Sequence, residues 1–268
     1  MTPRRRLPHD IVNWISTAVI LVLSFSETVL ATACDAASPW MANTTRFVVR
    51  AGMLLLPLAF LYVWTDTRPG DVFVCASGGR WHPTWKELVW GVSTGVALGS
   101  VSIAVFLYSR HSIKEYSGLL RRSYASWGIQ TGFTFLVFAI GVSILHATYE
   151  EVVWRWIAFQ HVVCRQDDVC RSAIGRAART TSSSSFWRVS VIAIITSIFF
   201  SAFHLVMVSS YLSPHVLPMV AIGAVVFMAG ITWCAVTYAT GTLWSAIVSH
   251  IMVDAVMFGC EYTALFAA

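Results

Sequence analysis

The chain has 268 residues, of which 57% are hydrophobic and only 12% are charged. Soluble domains carry roughly 25% charged residues, so this composition excludes a soluble globular protein, and the many apolar side chains exclude a disordered one. The net charge of +5 does not indicate a nucleic-acid partner, because the 18 basic residues are spread between apolar runs. We therefore predict an all-α protein, a polytopic transmembrane helical bundle whose surroundings are the lipid bilayer.

Seven apolar segments are long enough to span a bilayer, which takes about 20 residues of helix. We expect about seven transmembrane helices, within a range of six to eight. In chain order the segments are Ile11–Ala33, Phe47–Trp64, Trp85–Ser109, Phe133–Val163, Val189–Leu212, Leu217–Thr240 and Leu243–Phe266.

Two of the intervening features depart from a simple series of spans. The segment Ser112–Gln130 is basic and contains apolar and aromatic residues, so we expect it to lie along the membrane interface as an amphipathic helix. The fourth span, Phe133–Val163, is longer than a bilayer needs, and we expect it to be tilted or broken near Gly141.

Basic residues predict the orientation of the chain. The side of the membrane that holds the amino terminus carries more Lys and Arg than the opposite side, which predicts a cytoplasmic amino terminus. The short chain without a targeting peptide suits a prokaryotic plasma membrane. The six cysteines include no CxxC pair, so neither a disulfide framework nor a zinc ribbon is expected.

The fourth segment contains two adjacent glutamates and an arginine. Ionisable residues at membrane depth are costly and therefore indicate functional sites. Glu151 and Arg155 are i,i+4 neighbours with the acid first, which favours an ion pair. Glu150 points elsewhere and needs a partner from another helix, or from His146 one turn before it. A cluster at a helix end with Glu150 reaching water explains this segment equally well.

The fifth and seventh segments each repeat a four-residue spacing. Phe200 and His204 lie one turn apart, but a lone histidine in an apolar helix is more often a structural hydrogen-bonding residue than a catalyst. His250 and Asp254 also share a face. Since a buried carboxylate requires a donor, we expect Asp254 to accept a hydrogen bond from His250 and to fix its tautomer.

Three motifs in this order, on three separate apolar helices, resemble the CAAX-protease and bacteriocin-processing (CPBP) superfamily of intramembrane proteases, which includes the type II CAAX prenyl endopeptidases. The resemblance covers about Phe133 to Val256. It divides the chain into residues 1–132, helices without a recognised motif, and residues 133–268, a CPBP-like catalytic core. The motifs are Glu150-Glu151-x-x-x-Arg155, Phe200-x-x-x-His204 and His250-x-x-x-Asp254.

The sequence departs from the pattern of this superfamily at two positions. Trp156 follows the motif arginine, where members often have Gly. Asp254 ends the last motif, where Asn is common. An ionised aspartate cannot donate a hydrogen bond as Asn can. We therefore expect His250 to be the donor and Asp254 to orient it.

The resemblance implies an endopeptidase of the glutamate type, which hydrolyses a peptide bond in a protein or peptide substrate. Glu150 would be the general base and His204 would share the attacking water with it. His250, oriented by Asp254, would stabilise the tetrahedral oxyanion. The supporting residues implied are Glu151, Arg155 and Phe200.

Two alternatives use the same residues. No cofactor is expected, but a zinc ion held by His204, His250, Glu150 and Asp254 would give a metal-dependent version of the same protease, although no HExxH motif is present. A non-proteolytic protein, either a proton-coupled transporter or a bacteriocin-immunity protein, is the other. The absence of an internal repeat speaks against a transporter. The sequence predicts no oligomeric state.

Overall fold

A computed structural model of the protein describes residues 82–126, 128–160, 183–212 and 216–266, together with Arg80, Val163 and scattered positions between residues 15 and 59. The described residues form helices and no strand, as predicted. The first two predicted spans, Ile11–Ala33 and Phe47–Trp64, lie largely outside the described residues.

Five α-helices and one π-helical segment position the candidate site. The π-helical segment follows α2 directly and covers Glu151–Gln160. The α-helices are α1 (Trp85–Ser126), α2 (Gly132–Glu150), α3 (Ser183–Leu212), α4 (Val216–Thr240) and α5 (Trp244–Phe266).

Several of these helices are suited to a bilayer. Within the described part of the chain, four stretches are long and apolar enough to cross a membrane. The carboxy-terminal helix α5 is not among them, because His250, Asp254 and Glu261 lower its mean hydropathy. The four stretches are Trp85–Ser109, Gly132–Gln160, Phe186–Val206 and Val216–Thr240.

The helix α1 is longer than the sequence predicts. Ser112–Gln130 was expected as a separate interfacial helix, but α1 continues without interruption to Ser126 and has 42 residues. At 1.5 Å per residue it is about 63 Å long, roughly twice the thickness of the hydrocarbon core. The basic segment is thus largely a continuation of the third predicted span.

Glycines on α1 bring it close to α5. A Cβ atom on Gly91 would lie 2.8 Å from Cβ of Val248, and one on Gly95 would lie 2.9 Å from Sδ of Met252. Both glycines lie one turn apart on the same face of α1, so the two backbones approach closely along a small-residue face. This contact fixes the position of α5, which carries His250 and Asp254.

The fourth predicted span is not one regular helix. The regular helix ends at Glu150, and the next ten residues adopt the wider π-helical geometry. The change therefore lies between the two glutamates and not near Gly141, which sits inside α2. All ten π-helical side chains are buried. Segments of π-helix are rare and frequently lie at functional sites.

The π-helical segment is packed into the main hydrophobic core. Trp154 and Trp156 are both buried in this core, which also contains Phe200 and Trp233 of the next two helices, and the ring of Trp154 packs against that of Phe200. The bulky Trp156 thus fills core volume at the position where CPBP proteins often have Gly. This packing holds the backbone that carries Glu151 and Arg155.

Candidate active site

The structure brings together residues from all three motifs. Glu150 is buried at the end of α2. Its carboxylate oxygen Oε1 lies 2.9 Å from Nε2 of His146, one turn earlier on the same helix. The other oxygen, Oε2, lies 3.7 Å from Nε2 of His204 on α3 and 3.9 Å from Nε2 of His250 on α5. Three helices thus converge on one carboxylate.

The two oxygens of Glu150 have different surroundings. His146 engages Oε1, which is the i,i+4 contact that the spacing allowed. Oε2 is buried and has no hydrogen-bond partner within the described structure. The distances from Oε2 to the two imidazole nitrogens exceed the range of a direct hydrogen bond. Oε2 of Glu151 also lacks a hydrogen-bond partner there, but Oε2 of Glu150 differs in facing two imidazole nitrogens at distances that one bridging water molecule can span.

The orientation of His204 is set by its own helix. Its Nδ1 lies 2.9 Å from the carbonyl oxygen of Phe200. Because a carbonyl can only accept, Nδ1 carries the hydrogen and donates, and Nε2 is turned toward Glu150. The four-residue spacing of this motif therefore fixes the tautomer of the histidine through the backbone.

His250 is oriented by Glu151, and not by Asp254 as we expected from the sequence. Its Nδ1 donates to Oε1 of Glu151 across 2.7 Å, while Asp254 lies 3.5 Å from the other nitrogen, Nε2. The i,i+4 spacing puts Asp254 on the correct face, but α2 and α5 pack so that Glu151 meets Nδ1 directly. The tautomer of His250 is therefore set from the neighbouring helix.

The predicted ion pair between Glu151 and Arg155 is present. Nη1 of Arg155 lies 3.3 Å from the same Oε1 atom that accepts from His250. The buried guanidinium also lies over the rings of Phe200 and Trp233, at 4.1 and 4.8 Å from their centroids. Aromatic faces stabilise a buried cation, so Arg155 is held by charge and by the two rings.

Trp233 also belongs to this site, although no sequence motif contains it. Its ring is stacked on His250, with centroids 4.1 Å apart and an angle of 18° between the planes. The indole Nε1 donates to Oγ of Ser249 across 2.9 Å, which fixes the ring. An aromatic residue in an apolar helix carries no sequence signal of such a role, because it is equally expected in the core.

Asp254 lies between two histidines. Besides the 3.5 Å distance to His250, its Oδ2 lies 3.4 Å from Nδ1 of His146. The interpretation of His146 was left open by the sequence. In the structure it lies between the carboxylates of Glu150 and Asp254 and is part of the same cluster.

A set of possible metal ligands exists in this cluster. Ligand atoms of His146, Glu150 and His250 lie within 4.8 Å of one another. Two histidines and a carboxylate are a donor set that catalytic zinc uses. Ligands about 2.1 Å from a tetrahedral zinc lie only about 3.4 Å apart, so this set would have to contract to bind one. It also differs from the set predicted from the sequence, because His146 replaces His204 and Asp254.

A cavity of about 180 Å³ opens beside the cluster. His204, His250 and Asp254 of the cluster line it together with Ser102 and Ser109, and most of the remaining lining is apolar. Residues of α1, α3, α4 and α5 form its walls, so the cavity lies within the helix bundle. The apolar lining includes Val105, Phe106, Val226, Ala229, Val253 and Met257.

Comparison with known proteins agrees with the motifs. Residues 132–256 match the family model described as type II CAAX prenyl endopeptidase Rce1-like. No curated protein and no solved structure matches the chain. The matched range contains all three motifs and the residues of the cluster, and it coincides with the predicted range Phe133–Val256 to within one residue at the start. This part of the chain, slightly less than half of it, is therefore similar to the Rce1-like type II CAAX prenyl endopeptidases, in agreement with the resemblance that the motifs carry.

Proposed function

We propose that the protein hydrolyses a peptide bond in a membrane-associated protein or peptide, with a water molecule activated by Glu150 and His204. The observation that carries this proposal is the buried Oε2 of Glu150, which has no hydrogen-bond partner among the described residues and faces Nε2 of His204 at 3.7 Å. That separation is too long for a direct hydrogen bond, but one water molecule can bond to both atoms.

The proposed reaction begins with transfer of a proton from this water to Glu150. The oxygen of the water attacks the carbonyl carbon of the scissile bond, whose π electrons move onto its oxygen. Nε2 of His250, in the doubly protonated form of the ring, donates to that oxyanion. Glu150 then returns its proton to the leaving amine, and collapse of the tetrahedral intermediate breaks the carbon–nitrogen bond.

The supporting residues hold these groups in position. Glu151 accepts from Nδ1 of His250 and pairs with Arg155, so one carboxylate joins the proposed oxyanion donor to the buried cation. Phe200 supports the site twice, through its carbonyl on His204 and its ring beneath Arg155. Preorganised groups of this kind lower the barrier because they need little rearrangement during the reaction.

The cavity supports a substrate with an apolar group next to the scissile bond. Its lining combines apolar side chains with His204, His250 and Asp254, so an apolar chain bound there would lie beside the cluster, with an adjacent peptide bond near it. A prenylated cysteine near a carboxyl terminus is such a group, and it is the substrate that the family description names. We propose a substrate of this class.

We propose that the reaction needs no metal ion and takes place in a prokaryotic plasma membrane, with the amino terminus of the protein in the cytoplasm. The excess of basic residues on the amino-terminal side supports this orientation. Labelling with a membrane-impermeant thiol reagent, at a single cysteine introduced before residue 11, checks it. Labelling of intact cells would contradict the orientation.

Two assays test the proposed function. The first uses purified protein in detergent and an internally quenched peptide that ends in a farnesylated Cys-aliphatic-aliphatic-X sequence. The second compares peptides of the membrane and the medium from cells with the wild-type protein or the Glu150→Gln variant, and it finds substrates other than the probe. A transporter or an immunity protein would produce no cleavage product in either assay.

A further inference from the structure

We propose that His146 is a positioning residue, which couples Asp254 to Glu150 and directs Oε2 of Glu150 toward the reacting water. This inference rests on the proposed function and adds to it a residue that none of the three motifs contains. Nε2 of His146 lies 2.9 Å from Oε1 of Glu150, and Nδ1 lies 3.4 Å from Oδ2 of Asp254. One imidazole thus joins α2 to α5 through two carboxylates.

Both ring nitrogens of His146 act as hydrogen-bond donors in this bridge. Both nitrogens of His146 face oxygen atoms of carboxylates, and a histidine donates from both nitrogens only as the imidazolium ion. The titratable groups around it are Glu150 on its own helix, His204 on α3, and His250 and Asp254 on α5. In this form His146 supplies the positive charge that two neighbouring carboxylates require when water is excluded.

The bridge determines which oxygen of Glu150 is free to react. Because His146 engages Oε1, the carboxylate is held with Oε2 toward His204 and His250. A rotation of the carboxylate would exchange the two oxygens, and the hydrogen bond from His146 opposes it. The same imidazole holds Asp254 at the edge of the apolar cavity.

The loss of activity that follows replacement of His146 should depend on the charge at position 254. An asparagine there has almost the same shape as aspartate but no negative charge, and its amide can donate a hydrogen bond. A cation at position 146 then has one carboxylate to compensate instead of two. His146 and Asp254 should therefore behave as a coupled pair, whereas two independent residues would show additive effects.

The test compares the wild-type protein with H146Q, D254N and the double variant, with kcat and KM measured on the farnesylated quenched peptide. We expect H146Q to lower kcat by about 10-fold or more in the Asp254 protein, with KM changed by less than about twofold. In the D254N protein, the same substitution should cost less than about threefold. Equal losses in both backgrounds, or a loss confined to KM, would overturn the proposal.

A second measurement does not depend on peptidase activity. The thermal unfolding midpoint of the same four proteins in detergent should fall with H146Q, and it should fall less when Asp254 is already Asn. Coupled unfolding midpoints in a protein that cleaves no peptide would support the bridge between Glu150 and Asp254 and would contradict the proposed function. An active enzyme with additive midpoints and additive rates would reject the bridge alone.

One further variant serves as a control, and the double variant covers the case in which H146Q does not fold. H82Q is the matched control, since His82 is exposed and its ring contacts the carbonyl oxygen of the neighbouring Pro83, and it should change neither rate nor midpoint. If H146Q fails to fold, folding of the double variant is measured instead. Recovered folding in that protein supports the coupling, and an unfolded double variant contradicts it.

Discussion

Glu151 and His250 share a buried hydrogen bond of 2.7 Å that joins the π-helical segment to α5. This hydrogen bond gives the two adjacent glutamates different roles. Oε1 of Glu151 contacts both His250 and Arg155, whereas Oε1 of Glu150 contacts His146 and its Oε2 faces the Nε2 atoms of His204 and His250. The change from α-helix to π-helix falls between these two residues. Glu151 therefore has a structural role, and Glu150 has the role in the proposed chemistry.

Replacing Glu151 with Gln should impair both folding and activity. The variant removes the charge opposite a buried Arg155 and weakens the acceptor of His250. Breaking a buried ion pair costs about 3–5 kcal/mol of stability, because the remaining charge is uncompensated. We expect a lower thermal midpoint together with slower turnover, measured on the same purified sample. Glu150→Gln should lower the midpoint less, because His146 still faces the carboxylate of Asp254, and equal destabilisation by both variants would contradict the different roles of the two glutamates.

Removal of metal ions should leave the activity unchanged. The proposed mechanism uses only Glu150 and the histidines, so dialysis against a chelator should not reduce turnover, and purified active protein should contain far less than one zinc per chain. The measurement combines elemental analysis with the peptide assay. Loss of activity that is restored by added zinc would instead favour the ligand set of His146, Glu150 and His250.

The close approach of α1 and α5 predicts opposite effects for two similar substitutions. At Gly91 the added methyl of Ala would lie 2.8 Å from Cβ of Val248 and 2.9 Å from the carbonyl oxygen of Ser245. Gly91→Ala should therefore destabilise the protein by about 1–3 kcal/mol, because neither neighbour can move freely. At Gly118, on the same helix, the methyl meets nothing within 4 Å.

Gly118→Ala is thus the matched control for the helix contact. It should be neutral or stabilising by up to about 1 kcal/mol, since Ala favours a helix over Gly. Thermal unfolding of both variants in detergent checks the pair of predictions. Similar midpoints for the two would show that the contact between α1 and α5 is looser than the structure indicates.

The helices were predictable because hydropathy reports which segments avoid water. Leu217–Thr240 was predicted and α4 covers Val216–Thr240. The π-helical segment was not predictable, because its hydrogen-bonding pattern leaves no side-chain periodicity that distinguishes it from an α-helix in a uniformly apolar run. For the same reason the break was expected near Gly141, where the sequence has a small residue, although the regular helix continues past it.

Contacts within one helix were predictable and contacts between helices were not. The spacing of Glu151 and Arg155, and of His146 and Glu150, correctly indicated pairs that the structure contains. Asp254 lies within ion-pair distance of Nε2 of His250, as the spacing indicated, but Glu151 as the partner of Nδ1 was not foreseen, because sequence spacing gives only neighbours on the same helix. The contact with Glu151 depends on how α2 and α5 pack, which no local pattern records.

The most direct measurement of the central claim is the turnover of the farnesylated quenched peptide, or of a substrate found by the peptide comparison, by purified Glu150→Gln. Glu261→Gln is the matched control, because Glu261 lies two turns beyond Asp254 on the same helix and accepts from Tyr124 outside the cluster. The account predicts that Glu150→Gln lowers kcat by about 10³-fold while the protein remains folded, and that Glu261→Gln stays within about threefold of the wild-type rate. Full activity in Glu150→Gln would contradict the assignment of Glu150 as the residue that activates the water.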